Sequence, residues 1–295
     1  MMFKLSRWKN RSVRDLAWVI ASPPLVAGEF DGVNWWSQDT LLDEYQDCLP
    51  ILTQLDQHPE PLEHYLAALT TDALGHRFEA LVAFWLELSP NYQLLDQSLQ
   101  LQGEGRTLGE LDFIIQAHRT GAIIHLEVAV KFYMGQSPLT KLENWYGSHL
   151  KDSFANKLNH LKQHQTQLSC LYPDKIHYPI TQRCCMVKGR LFYPEFAINP
   201  LLPEGVEVGH LNGMWGSDVQ TMAAKLGADA VVIDKQDWLS RFSVEDIRRC
   251  EQLQVSRADY PHGRACYVLH RQGQELIRYF QFPEGYFNAV DIIVE

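Results

Sequence analysis

The sequence predicts an α/β fold in which a mixed central sheet is flanked by helices. Three observations lead there. Between Gly109 and Tyr133 two strand-length segments alternate apolar and polar residues across a turn-like His118-Arg119-Thr120-Gly121. Apolar residues at helical spacing precede this hairpin (Leu74, Phe78, Leu81, Trp85, Leu88) and follow it (Phe154, Leu158, Leu161, Leu168). Composition is that of an ordinary globular protein, 46% hydrophobic and 21% charged over 295 residues.

Taken in order, residues 1–14 are basic, with Lys4, Arg7, Lys9, Arg11 and Arg14. The apolar run after them superficially resembles a signal peptide, but Asp15 and the Pro23-Pro24 pair argue for a short helix ending before Ser22. Trp35-Trp36 reads as core. From Leu41 to Leu69 the pattern gives one or two helices broken at His58-Pro59-Glu60-Pro61. The next helix starts from a Thr70 or Thr71 cap. A strand over 92–102 turns at Gly103-Glu104-Gly105 into the hairpin, and a helix from about Asp152 to Leu168 leads to a strand at Cys184–Phe192. The core order is therefore αβββαβ, from about residue 70 to 195. An N-terminal helical extension occupies 1–69 and an α+β region 196–295. The latter opens with a Pro- and Gly-rich linker and ends in a strand at Ala230–Ile233 and a hairpin formed by 265–269 and 276–282.

The chemistry concentrates in the hairpin. Asp112 lies on one strand, while His125, Glu127, Ala129 and Lys131 share a face of the next. Carboxylates in an apolar sheet are costly unless paired or bound to a cation. Two of them can hold Mg²⁺, and Mn²⁺ is a possible substitute; a lysine beside them can orient water and stabilise developing charge. The plain alternative is a Glu–Lys cross-strand pair. His160 and His164 have ligand spacing on a helix, but without a following acid they read as solvated side chains.

Gly109-Glu110-Leu111-Asp112-Phe113-Ile114, followed by a strand bearing Glu127 and Lys131, resembles the PD-(D/E)XK nuclease superfamily, closest to its Holliday-junction-resolvase-like branch. The whole-chain layout is also similar to an uncharacterised bacterial domain family. The superfamily resemblance covers about residues 70–190. It implies a restriction-endonuclease-like core, Mg²⁺ on Asp112 and Glu127, catalysis by Asp112, Glu127 and Lys131, and nucleic acid as partner. An acid on the preceding helix often lies near the metal, which points to Glu79. The crossover helix implies phosphate contacts from Lys157 and Gln163, with Arg190 on the following strand as a further nucleic-acid contact. One departure stands out: the family spacing is Glu-x-Lys, whereas here three residues separate Glu127 from Lys131. Either Glu127 reaches in from one step along the strand or another acid, Glu79, replaces it. A catalytically inactive binding or scaffold protein on the same fold is the competing reading.

Charge fits either. The net value is −10, yet residues 131–190 carry nine Lys/Arg against three acids, or +6, leaving −16 elsewhere. Such a basic stretch suits a phosphate backbone. The six cysteines lack metal spacing and read as free thiols of a cytoplasmic protein, and no apolar run reaches membrane-spanning length. No nucleotide-binding loop, dinucleotide fingerprint or Gly-x-Ser-x-Gly elbow occurs.

Overall fold

A computed structural model describes residues 7–30, 32–103, 105–197, 200–253 and 264–287. Helix α1 (Arg11–Ala21) is capped by Asn10, whose side chain accepts from the amides of Ser12 and Val13, and it ends where the two prolines begin. It is buried from Val13 to Ala21. Its polar residues are matched accordingly: Asp15 pairs with Arg77 at 3.0 Å, and the fully buried Lys188 donates to the carbonyls of Ile20 and Ser22. An amine donor at a helix C-terminus satisfies carbonyls that have no partner within the helix, and burial pushes Lys188 well below the usual lysine range.

Strands β1 (Gly28–Phe30) and β2 (Val33–Trp35) form a small ribbon, followed by α2 (Gln38–Gln57) and α3 (Glu60–Ala67), which are separated at His58-Pro59. Helix α4 (Leu74–Leu88) starts later than a threonine cap would place it: Ala73 is the capping residue, and Thr71 accepts instead from the Ala73 amide. Then come β3 (Tyr92–Gly103), β4 (Arg106–Ala117), β5 (Ile123–Gly135), β6 (Trp145–Gly147), α5 (Phe154–Gln163), α6 (Leu168–Leu171) and β7 (Gln182–Pro194). The chain continues with β8 (Asn212–Gly216), α7 (Val219–Leu226), β9 (Asp229–Ile233), α8 (Val244–Leu253), β10 (Ala265–Arg271) and β11 (Gln274–Gln281). The fold is thus mixed α/β.

These elements divide into two compact units. The first contains residues 1–131, 155–189 and 205–210, so the N-terminal helices share it with the hairpin, in contrast to the sequence-based division at residue 70. Its strands run β3-β4-β5-β7-β2-β1; β3, β4 and β5 are antiparallel in succession, and β2 runs parallel to β7. Trp18, Trp35, Phe78 and Trp85 are fully buried in this unit, confirming Trp35 as core. The second unit contains residues 132–154, 190–204 and 211–295. There the end of β7 runs parallel to β8, β8 parallel to β11, and β9, β10 and β11 pair antiparallel. The closing hairpin read from the sequence is β10 and β11.

Within the first unit, Gly189 has φ +143°, and a Cβ there would fall 1.7 Å from the carbonyl oxygen of Lys131. Backbone, not a flexible side chain, occupies that space. Gly189→Ala should therefore destabilise the fold by about 1–3 kcal/mol. Chemical denaturation of the two proteins measures this; equal midpoints and slopes would contradict it.

Candidate functional site

The hairpin register sets the site. Phe113 pairs with Leu126, Ile114 with His125, Ile115 with Ile124 and Gln116 with Ile123. One step further, Asp112 stands opposite Glu127, and the backbone ladder gives way to side chains. The Asp112 amide donates to Glu127 Oε1 at 3.3 Å, and the Val128 amide donates to Asp112 Oδ2 at 2.8 Å. Each carboxylate thus accepts from the opposite strand, and the strands part where the two acids meet.

Glu127 is fully buried, and both of its oxygens accept hydrogen bonds. His125 Nε2 lies 2.8 Å from Oε1, and Gln165 Nε2 donates to Oε2 at 2.6 Å. His125, also fully buried, sets its other ring nitrogen 2.9 Å from Ser169 Oγ. With Glu127 ionised, the imidazole proton sits on Nε2, so Nδ1 accepts from the serine hydroxyl. Burial pushes His125 down to about 4, keeping it neutral.

Gln165 comes from an irregularity that helical periodicity conceals. The expected helix over 152–168 stops at Gln163, and a short 3₁₀ turn covers Gln165–Gln167. Thr166 Oγ1 donates to the carbonyls of Leu161 and Lys162, and the Gln167 side chain donates to Lys162, so the last carbonyls of α5 are satisfied by the turn that ends it. Turning off the helix aims Gln165 at Glu127. Gly109 then lets the next helix approach, since a Cβ there would lie 2.5 Å from Leu168 Cδ1. The glycine of the Gly-Glu-Leu-Asp sequence gives Leu168 room over β4 and seats Ser169 beside His125.

Burial is the largest cause lifting both acids: Asp112 and Glu127 are each pushed up to about 7, Asp112 further by the charge of Glu127. Glu79, on α4, is raised by burial and then by the charge of Asp112, which places it in electrostatic reach of Asp112. Lys157, on α5, lowers all three. Its Nζ donates to Gln165 Oε1 at 2.9 Å, an oxygen that His160 Nδ1 also approaches at 3.0 Å.

The residues named from sequence divide accordingly. Asp112, Glu127, Glu79 and Lys157 come together. Glu127 is opposite Asp112, and the residue two steps beyond it, where the resemblance would have a lysine, is the buried Ala129. Lys131 lies a further two residues along, about 13 Å from Glu127 in an extended strand. Gln163 is exposed at the end of α5. Arg190 is in the second unit, 8% exposed and donating to Asn212 O at 2.7 Å, with burial and neighbouring Arg278 pushing it down to about 10. It is not the surface contact expected of it, and Lys188, fully buried, likewise leaves the expected basic surface. His160 and His164 are exposed and stacked, ring centroids 4.9 Å apart. His125, Gln165 and Ser169 were not singled out from sequence. Only His125 left a signal, a histidine two residues from Glu127 on the same strand face. Among the described residues, no group of three or more His, Cys, Asp or Glu side chains is arranged to hold a metal ion, all described cysteines are free thiols, and no helix is long and apolar enough to cross a membrane.

A family model described as a domain of unknown function, DUF1853, matches residues 14–268. The chain belongs to the DUF1853 family. The match begins within α1 and ends within β10, so the DUF1853 region contains every residue of the site just described. No curated protein and no solved structure matches the chain.

The raised carboxylates give this DUF1853 protein a pH signature. The unfolded chain releases these protons near pH 4, and the folded chain holds them to about 7. Their contribution to stability is thus full below about pH 4 and is lost as pH rises through about 7. The depressed His125 acts oppositely, its contribution being lost as pH falls from about 6.5 through 4. In chelator, Asp112→Asn should therefore raise the melting temperature more at pH 8 than at pH 5. Equal shifts at the two pH values would show that Asp112 is not held near neutrality.

Proposed function

We propose that this protein is a Mg²⁺-dependent phosphodiesterase acting on DNA or a related nucleic acid, built on a restriction-endonuclease-like core. One observation carries the reading: Asp112 and Glu127 oppose each other where the β4–β5 ladder opens, and each is held by the other strand. The order α4, β3, β4, β5, α5, β7, with the short β6 and α6 interspersed, is consistent with the αβββαβ order that the superfamily resemblance implies. The donor set suits a small hard cation. Two carboxylate oxygens with water completing the shell are an ordinary Mg²⁺ environment, and burial leaves this acid pair short of positive charge. When bound, the ion would polarise a phosphoryl oxygen and favour hydroxide over water. Asp112 and Glu127 would hold it, Glu79 adds negative charge nearby, and His125 with Ser169 fixes the orientation of Glu127.

A second reading has its own support. Both oxygens of Glu127 already accept hydrogen bonds and the side chain is fully buried, as in a polar cluster kept for structure alone. A nuclease fold retained as a binding or scaffold module would look like this.

Thermal melts with and without millimolar Mg²⁺ or Mn²⁺ separate the two, since an ion bound only by the folded state raises the midpoint. The enzyme reading expects a rise in wild type that disappears in Asp112→Asn, together with metal-dependent cleavage of duplex, branched or single-stranded DNA that this substitution abolishes. Absence of both the rise and the cleavage selects the binding module.

A further inference from the structure

We infer that Lys157, held in place by the side-chain amide of Gln165, is the lysine that stabilises charge on the reacting phosphate, and that Lys131 has no part in the reaction. The inference rests on the phosphodiesterase reading and assigns within it two residues that strand spacing does not reveal.

Geometry supports it at three points. On β5 the position two residues beyond Glu127 is Ala129, a methyl that can neither donate nor carry charge, and Lys131 is about 13 Å along the strand. Lys157 on α5 and Gln165 in the turn after it reach the acid pair instead. There the Lys157 ammonium donates to Gln165 Oε1 at 2.9 Å, and the same amide donates to Glu127 Oε2 at 2.6 Å. The amide can point only one way. Lysine has no acceptor, so the carbonyl end must face Lys157 and the NH₂ end must face the carboxylate. A single planar group therefore fixes the distance between the cation and Glu127, and the 3₁₀ turn beyond α5 fixes the amide.

In hydrolysis, water oxygen adds to phosphorus and the ester P–O bond breaks. The proton lost by water reaches the departing oxygen through solvent. Lys157 stays protonated throughout and offsets the negative charge gathering on the non-bridging oxygens. Gln165 is a positioning residue: it sets where that charge sits without touching substrate.

The test compares Lys157→Met, Lys157→Arg, Lys131→Met and Gln165→Leu in the full chain. It follows DNA cleavage, the Mg²⁺-dependent rise in melting temperature, and the side-chain amide resonances of Gln165. Lys157→Met should lower kcat about 100-fold while keeping the Mg²⁺-dependent rise, because the cation acts on the phosphate and not as an ion ligand. Gln165→Leu should lower kcat by a smaller factor with KM little changed, and combining it with Lys157→Met should add little. Lys131→Met should stay within about twofold of wild type, inside the range of an uninvolved surface change. The Gln165 amide signals should move in Lys157→Met and remain in Lys131→Met. Lys157→Arg retains charge and donor, so it should stay folded and partly active even where the methionine variant does not fold. Loss of activity in Lys131→Met with Lys157→Met and Lys157→Arg fully active, or Gln165 resonances indifferent to Lys157→Met, overturns the assignment alone. A wild type that neither cleaves nor melts higher with Mg²⁺ overturns the phosphodiesterase reading and this assignment with it.

Discussion

Two carboxylates facing each other in the middle of a sheet are the constraint on which much of the first unit depends. Removing one ionised acid from water is expensive, and removing two at adjacent positions adds their repulsion. The protein meets this with directed donors: two backbone amides freed from the strand ladder, a neutral histidine, a glutamine amide and one nearby lysine. Each donor makes a structural demand. The ladder must open at Asp112, α5 must stop early enough to release Gln165, and β4 must carry a glycine where Leu168 packs. Features that look unrelated along the chain, such as Gly109 and the Thr166 hydroxyl, serve the same pair of acids.

A comparable arrangement without chemistry stands at α1. Its last carbonyls are satisfied by the buried amine of Lys188 from a distant strand, and Arg77 matches its buried Asp15. Both places show buried charge tolerated because geometry supplies a partner. They differ in balance. Asp15 has cations at hand, whereas burial lifts both hairpin acids to about 7, Asp112 further by the charge of Glu127. That residual imbalance distinguishes a candidate site from a structural ion pair.

Much of the fold was legible because it is written in local period. Alternation gave β4 and β5, a 3.6-residue repeat gave α4, and prolines gave the ends of α1 and α2. The strand faces also placed Asp112 beside Glu127. What the sequence hid depends on contacts between distant residues. Gln165 leaves α5 because Thr166 and Gln167 turn back on its final carbonyls, which an apolar repeat through Leu168 overrides on paper. Arg190 reads as a surface cation until strand pairing buries it. The spacing from Glu127 to Lys131 suggested a displaced acid; the register sets Glu127 opposite Asp112, with Ala129 two residues beyond it.

The path of the chain between the two units has a consequence of its own. It passes from one to the other after residues 131, 154, 189, 204 and 210, twice inside a continuous strand. No single cut yields either unit as an unbroken piece, so neither is a module that recombination could lift out and graft elsewhere. The family match, from α1 to β10, accordingly takes in residues of both units.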